Sequence, residues 1–254
     1  MFAKAIVRVP SERLAQAQLT HLARRPVDVA RAQVEHAAYV ALLRAHGLEL
    51  HHAPAAPEHP DGMFVEDVLV VIAGRAILTR PGAATRRGEA DSLLPLLLRL
   101  ALPTERIVAP ATLDGGDVLV THRHVLVGQS TRTNRDAITQ LTALSACAGR
   151  VVTPLEVVGA LHLKTALTSL PDGALIAAPD FVDTARLREL GYRVHHAPEA
   201  SGANVLCLGQ TVVLPAAASA TARMLGELGY RVHPLELSEV QKLEAGVTCL
   251  SVLV

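Results

Sequence analysis

The chain has 254 residues, half of them apolar and 19% charged, with 24 basic against 24 acidic side chains. That is enough apolar material for one large core or two modest ones, and it excludes a disordered chain. Zero formal net charge and 2% aromatics leave no footprint for nucleic acid or for an anionic membrane surface.

The most apolar run, Leu93–Leu102, is broken by Pro95 and Arg99 and falls short of the roughly 20 residues a membrane span needs. Residues 1–10, Met-Phe-Ala-Lys-Ala-Ile-Val-Arg-Val-Pro, alternate as a strand does and lack the pattern of a signal peptide. The polar, proline-bearing stretch His21–Asp28 reads as a surface loop and a candidate lid. Apolar residues at 30, 34, 37, 38, 41 and 42 predict an amphipathic helix over Ala30–His46, closed by Gly47. Short strands are predicted at Val68–Ile72, Ala76–Thr79, Val118–Val120, Val125–Val127, Val205–Leu208 and Thr211–Leu214, several paired as hairpins. Further helices fit at about 88–101, 133–147, 181–190 and 219–228.

An internal repeat is sharper than any single element. Gly47-Leu-Glu-Leu-His-His-Ala-Pro54 is echoed by Gly191-Tyr-Arg-Val-His-His-Ala-Pro198 and by Gly229-Tyr-Arg-Val-His-Pro234. Each copy follows a helical segment, so the unit is helix, glycine cap, strand and proline stop. Recurrence at roughly 40 to 50 residues predicts a ring or array of about five β-rich units, each carrying a helix. No stretch reads as an interdomain linker, so a single domain over residues 1–254 is expected. Three widely spaced cysteines, Cys147, Cys207 and Cys249, form no disulfide framework and point to a reducing cytoplasmic setting.

Five segments carry residues capable of chemistry. Asp61, Glu66 and Asp67 crowd a turn entering a strand, either as solvated acidic surface or as a cation-binding floor. If 66 and 67 continue that strand, their side chains point to opposite faces. Arg80, Arg86 and Arg87 between a strand and a helix form either a solvated basic loop or an anion clamp. Thr112-Leu-Asp-Gly-Gly-Asp-Val-Leu119 is an Asp-Gly turn opening a hairpin or a flexible acidic corner. In Leu161-His-Leu-Lys-Thr165 the alternation places His162 and Lys164 on one strand face. Cys249, three residues after Gly246, is either a small buried hydrophobe or a nucleophile awaiting a histidine and a carboxylate. No cysteine or histidine spacing matches a zinc site.

Taken in order, Phe-Val-Glu-Asp (64–67), Thr-Arg-Pro-Gly (79–82), Arg-Arg-Gly-Glu (86–89), Leu-Asp-Gly-Gly-Asp-Val-Leu (113–119), Arg-Thr-Asn (132–134), Leu-His-Leu-Lys (161–164) and Val-Thr-Cys-Leu-Ser (247–251) resemble the dimethylarginine dimethylaminohydrolases, guanidine-modifying enzymes of the pentein superfamily. The resemblance implies a five-bladed α/β propeller of ββαβ modules with pseudo-fivefold symmetry and a site in its central channel. It implies Cys249 as nucleophile, His162 as general acid and base, and Asp114 as the orienting carboxylate, where some relatives carry glutamate. Asp61, Phe64, Glu66, Asp67 and Val247 fall at substrate-binding positions, with Asp67 on the guanidinium. Arg86 and Arg132 fall where the amino-acid head group is held. Leu14–Pro26 corresponds to a mobile lid, with Leu19 as its contact. Ala245 departs from the glycine of many relatives, where a positive φ was at issue.

The implied activity is hydrolysis of Nω,Nω-dimethylarginine or Nω-monomethylarginine to citrulline and the free amine, through a covalent thiouronium and without metal or organic cofactor. The implied partner is that small molecule, not nucleic acid or membrane, and a homodimer is allowed. The alternatives are an arginine deiminase or related amidino-group enzyme, and a non-catalytic binding module of the same fold.

Overall fold

The computed structural model describes residues 2–254. Strand β1 (Lys4–Val7), helix α1 (Val29–Ala45) and strand β2 (Glu49–His52) come first. Next are β3 (Leu69–Ile72), β4 (Arg75–Leu78), α2 (Leu94–Arg99) and β5 (Thr104–Arg106). A third set is β6 (Val118–Val120), β7 (His124–Gln129), α3 (Arg135–Leu144) and β8 (Val151–Glu156). After the one-turn helix α4 (Leu163–Ala166) follow β9 (Leu167–Ser169), β10 (Leu175–Ala177), α5 (Thr184–Glu189) and β11 (Val194–His196). The chain closes with β12 (Leu206–Leu208), β13 (Thr211–Pro215), α6 (Ser219–Glu227), β14 (Arg231–Leu235), α7 (Ser238–Gln241) and β15 (Ser251–Leu253).

These strands form five three-stranded sheets of one design. A central strand pairs antiparallel with the strand before it and parallel with the strand after the helix, as in β3-β4-β5. In the first module β15 supplies the antiparallel partner of β1, so the two ends of the described chain share one sheet. The apolar core is divided in the same way. Five buried clusters each draw on two neighbouring modules; Val70 and Ile77, for example, pack with Val118, Val125 and Leu141. Ile6 and Val252 join the second module's Leu78 and Leu97, and Val7 and Leu43 join the fifth module's Val213 and Leu235. The predicted five-bladed α/β architecture is what the chain builds. Among the described residues no helix is long and apolar enough to cross a membrane.

The repeat seen in the sequence is the joint between each module's helix and its last strand. Gly47, Gly149, Gly191 and Gly229 adopt φ of +82°, +64°, +83° and +91°, and Ala101 takes the equivalent place at +52°. At four joints the next N–H returns to a carbonyl five residues back, Leu48 to Leu43, Leu102 to Leu97, Tyr192 to Leu187 and Tyr230 to Leu225. This left-handed cap satisfies the last carbonyls of the helix and turns the chain into the parallel strand.

A second recurrent feature matters more for function. Just before the first strand of each module lies a tight helical turn: Val65–Val68, Gly115–Asp117, α4, Ala200–Ala203 and Thr248–Leu250. The turn at 65–68 touches those at 115–117 and 248–250, while α4 touches those at 115–117 and 200–203. The turns therefore line the middle of the ring. Here the strand reading of 161–165 is corrected. His162 is the extended residue capping α4, because the chain must turn inward there before β9 can begin.

Candidate active site

Four of these central turns carry the chemistry. Cys249 sits in the turn before β15, His162 caps the turn before β9, Asp114 precedes the turn before β6, and Glu66 and Asp67 lie in the turn before β3. Cys249, His162, Asp67, Asp61, Phe64, Arg86 and Arg132 line one cavity of about 20 Å3, together with Gln18, Leu161, Leu243, Glu244 and Ala245. A larger cavity of about 230 Å3, lined by apolar groups such as Leu22, Ala160 and Phe181, adjoins it and shares Leu161, Glu244 and Ala245. The titratable groups converge on the smaller cavity, so the chemistry belongs there.

His162 Nε2 lies 2.9 Å from Asp114 Oδ2, and both residues are buried. The other Asp114 oxygen accepts the Gly82 N–H at 2.9 Å, which holds the carboxylate in place. On the far side of the ring, His162 Nδ1 stands 3.7 Å from Asp67 Oδ1. A Cβ on Gly116 would come within 2.5 Å of that Nδ1, so only glycine lets the imidazole lie against the backbone here. Burial opposes charging of His162, but Asp67, Asp114 and Asp117 outweigh it and raise its pKa to about 9. The imidazole is therefore protonated at neutral pH.

Asp117 organises the surrounding loops. Its carboxylate accepts from Ser130 and Thr133 hydroxyls at 2.6 Å each and from the Leu163 N–H at 2.9 Å. Burial raises its pKa to about 6, against the pull of His162 and of these donors. Cys249 Sγ accepts the Gly246 N–H at 3.4 Å. Burial, together with the charges of Glu66 and Asp67, pushes this thiol above its ordinary value, so the resting group is the neutral thiol. Gly246 serves close approach, since a Cβ would lie 2.2 Å from Asn204 Oδ1. The positive φ considered at Ala245 occurs instead at Glu244, at +59°.

The remaining sequence candidates divide. The Asp61 carboxylate faces the cavity and accepts the Gln18 N–H at 3.1 Å. Burial raises its pKa against the pull of Arg86. Arg86 lines the cavity, but its guanidinium is bidentate on Glu89 at 3.0 and 2.9 Å and lies 2.5 Å from Asp67 Oδ2. Its fork is filled by these acids, so it buttresses Asp67 where the resemblance assigned it to a head group. Arg132 stands 3.8 Å from Asp114 and donates to Thr20 Oγ1 at 2.8 Å.

Glu66, Val247 and Leu19 lie apart from the cavity wall. The turn at 65–68 sends Glu66 beneath the site, where it takes Lys164 Nζ at 2.5 Å and the Thr248 hydroxyl at 2.8 Å. Val247 is fully buried in the apolar core, and Leu19 packs half-buried against the same cluster. Gln18, Leu161, Leu243 and Glu244 line the cavity without having been singled out. Leu161 opens the Leu-His-Leu-Lys motif and Gln18 falls inside the Leu14–Pro26 lid segment, while Leu243 and Glu244 stand in none of the seven motifs.

Asp67, Asp114 and His162 bring ligand atoms within 4.8 Å of one another, a spacing a metal ion could use. Two of them are already bonded to each other, and Asp67 is paired with Arg86. One oxygen is left over. Among the described residues, Asp67 Oδ1 has no hydrogen-bond partner, and it is buried on the wall that also carries Cys249 and His162. An unpaired buried acceptor is costly unless something donates to it.

The family described as N,N dimethylarginine dimethylhydrolase, eukaryotic, matches residues 16–190. A Streptomyces coelicolor N(G),N(G)-dimethylarginine dimethylaminohydrolase is 42% identical over 98% of this chain and 96% of its own. This chain belongs to the dimethylarginine dimethylaminohydrolase family. The Pseudomonas aeruginosa member of the family is 32% identical over 99% of both chains. A cysteine-to-serine variant from P. aeruginosa, solved with citrulline, superposes with a TM-score of 0.93 over 100% of both chains. A histidine-to-glycine variant in adduct with S-methyl-L-thiocitrulline superposes at 0.92 over the same coverage, again at 32% identity. The N-terminal domain of a cyanobacterial arginine dihydrolase, 16% identical, reaches 0.88 and shares the fold.

Proposed function

We propose that this chain hydrolyses Nω,Nω-dimethylarginine and Nω-monomethylarginine to citrulline and dimethylamine or methylamine, with Cys249 as covalent nucleophile. One observation carries the reading: the unpartnered Asp67 oxygen on the wall shared with Cys249 and His162. A guanidinium is a planar cation with N–H groups along its edges and no acceptor, and it satisfies such an oxygen directly. Bound on Asp67, it turns its central carbon toward the thiol.

The arriving cation also changes the electrostatics. It pairs with one of the two carboxylates that hold the thiol proton on, and so favours release of that proton to solvent and formation of the thiolate. The thiolate adds to the guanidinium carbon, giving a tetrahedral adduct. His162, already an imidazolium, donates its proton to the departing amine as the C–N bond breaks, leaving an S-alkylthiouronium on Cys249. The neutral imidazole then takes a proton from water, hydroxide adds to the same carbon, and the C–S bond breaks as the hydroxyl proton passes to sulfur, releasing citrulline and restoring the thiol. Asp114 keeps the ring in register through both steps. Arg132 and Asp61 are the charged groups left to receive the substrate carboxylate and ammonium.

The chain works in this reading as one domain in the cytoplasm, alone or as a homodimer, and its own side chains supply every step. Incubation with dimethylarginine, monomethylarginine and arginine, with citrulline measured from each, tests the substrate class. Citrulline from the methylated substrates supports the reading. Citrulline from arginine alone defeats it.

A further inference from the structure

The cavity holding Cys249 is small. At about 20 Å3 it has room for roughly one water, so an arginine-sized ligand enters only when part of the wall moves. Of residues 18–26, Gln18 lines that wall, and His21 and Leu22 line the larger cavity beside it. The segment contains no helix or strand, and all of it but half-buried Leu19 is exposed. Among the described residues, besides Glu244, a few bonds fasten this segment to the body: Gln18 N–H to Asp61, Thr85 Oγ1 to Gln18 Oε1 at 3.3 Å, Arg132 to Thr20 Oγ1, and Lys242 Nζ to the Pro26 carbonyl at 3.0 Å. Arg24 bonds only locally, to the carbonyls of Ala15 and Ala17.

Against these stands one side chain from more than 220 residues away. The Glu244 carboxylate accepts three consecutive backbone N–H groups, those of Thr20 at 2.9 Å, His21 and Leu22. Consecutive N–H groups converging on one anion form a charge-assisted cradle. Glu244 also lines the catalytic cavity and the larger one beside it, so it stands where both open. Its backbone sits at φ +59°, a region strained for a residue with a Cβ. Glycine or asparagine would hold that turn more easily, but neither offers a carboxylate.

We propose that Glu244 is the latch of a lid, a positioning residue that clasps residues 20–22 over bound substrate and whose release admits and discharges it. Its functional half rests on the reading of the cavity as the substrate site; the clasp itself does not. Two variants separate side chain from backbone. Glu244→Gln removes the charge, and Glu244→Gly removes the side chain while tolerating the positive φ, so its fold is not at risk. Hydrogen exchange of the 18–26 segment, measured without substrate, is expected to accelerate about tenfold or more in both as charge-assisted bonds are lost. The KM for dimethylarginine is expected to rise about tenfold with a smaller change in kcat, because the contact acts on capture rather than bond breaking. Glu244→Asp, which keeps the charge, should recover part of both effects. Exchange equal to wild type in both variants overturns the latch whatever the substrate proves to be. Faster exchange with unchanged KM overturns its role in substrate capture.

Discussion

Asp67→Asn is the most revealing single change, because it removes a charge from the middle of the site at almost constant volume. His162 Nδ1 lies 3.7 Å from Asp67 Oδ1, and both side chains are buried. At an effective dielectric of about 20, a unit pair at that distance interacts by roughly 4 to 5 kcal/mol, or about three pKa units. Arg86, 2.5 Å from the other Asp67 oxygen, offsets part of that field. The expected fall in the His162 pKa is therefore smaller, about one to two units from its value near 9. The sign is fixed: removing a negative neighbour lowers a histidine pKa, so less imidazolium remains at pH 8 to protonate a leaving amine. NMR titration of the His162 ring in wild type and Asp67→Asn measures this without substrate. A pKa that moves by less than about 0.3 units refutes the electrostatic reasoning. Loss of substrate affinity in the same variant checks the second role given to Asp67.

Other expectations follow from single contacts. Gly116→Ala places a methyl 2.5 Å from His162 Nδ1 and must push the ring or the backbone aside. The expected loss in kcat is about a hundredfold, and steady-state kinetics with an unchanged kcat would contradict the packing argument. Lys164→Met leaves the Glu66 carboxylate buried without its cation, with an expected loss of about 3 to 5 kcal/mol in urea unfolding. Pairing it with Glu66→Leu should restore much of that loss. His36 is buried with Nε2 unpartnered, and burial, aided by His52, lowers its pKa from 6.5 to about 4. The unfolded chain thus binds the proton first, and stability present above pH 6.5 is lost as pH falls toward 4, by about 3 kcal/mol. His36→Phe should flatten that decline when unfolding is compared at pH 7 and 4.5.

Much of this was legible in the amino-acid order, and the gaps have physical causes. Three of the five helix-to-strand joints stood out because Gly47, Gly191 and Gly229 precede similar strands. Gly149-Arg-Val-Val-Thr-Pro154 follows the same pattern without the histidine, and Ala101 adopts the left-handed cap with a Cβ, so neither announced itself. Asp114, His162 and Cys249 were readable because each lies in a distinctive motif. The alternation in Leu161–Lys164 suggested a strand, but it is equally the entry to a single helical turn, and tertiary contacts decide between them. A turn at 65–68, not a strand, separates Glu66 from Asp67 and sends only the second into the cavity. Glu244 was invisible because its partners are backbone N–H groups, which leave no trace in side-chain identity.

The central claim is that a thiouronium forms on Cys249 during hydrolysis of dimethylarginine. Acid-quenched mass spectrometry of the enzyme turning over that substrate reads it directly. The account predicts a transient mass gain equal to substrate less dimethylamine, located on the peptide carrying Cys249, and absent along with citrulline release in a folded Cys249→Ser variant. Sustained citrulline release by that variant, or an adduct on any other residue, would contradict it.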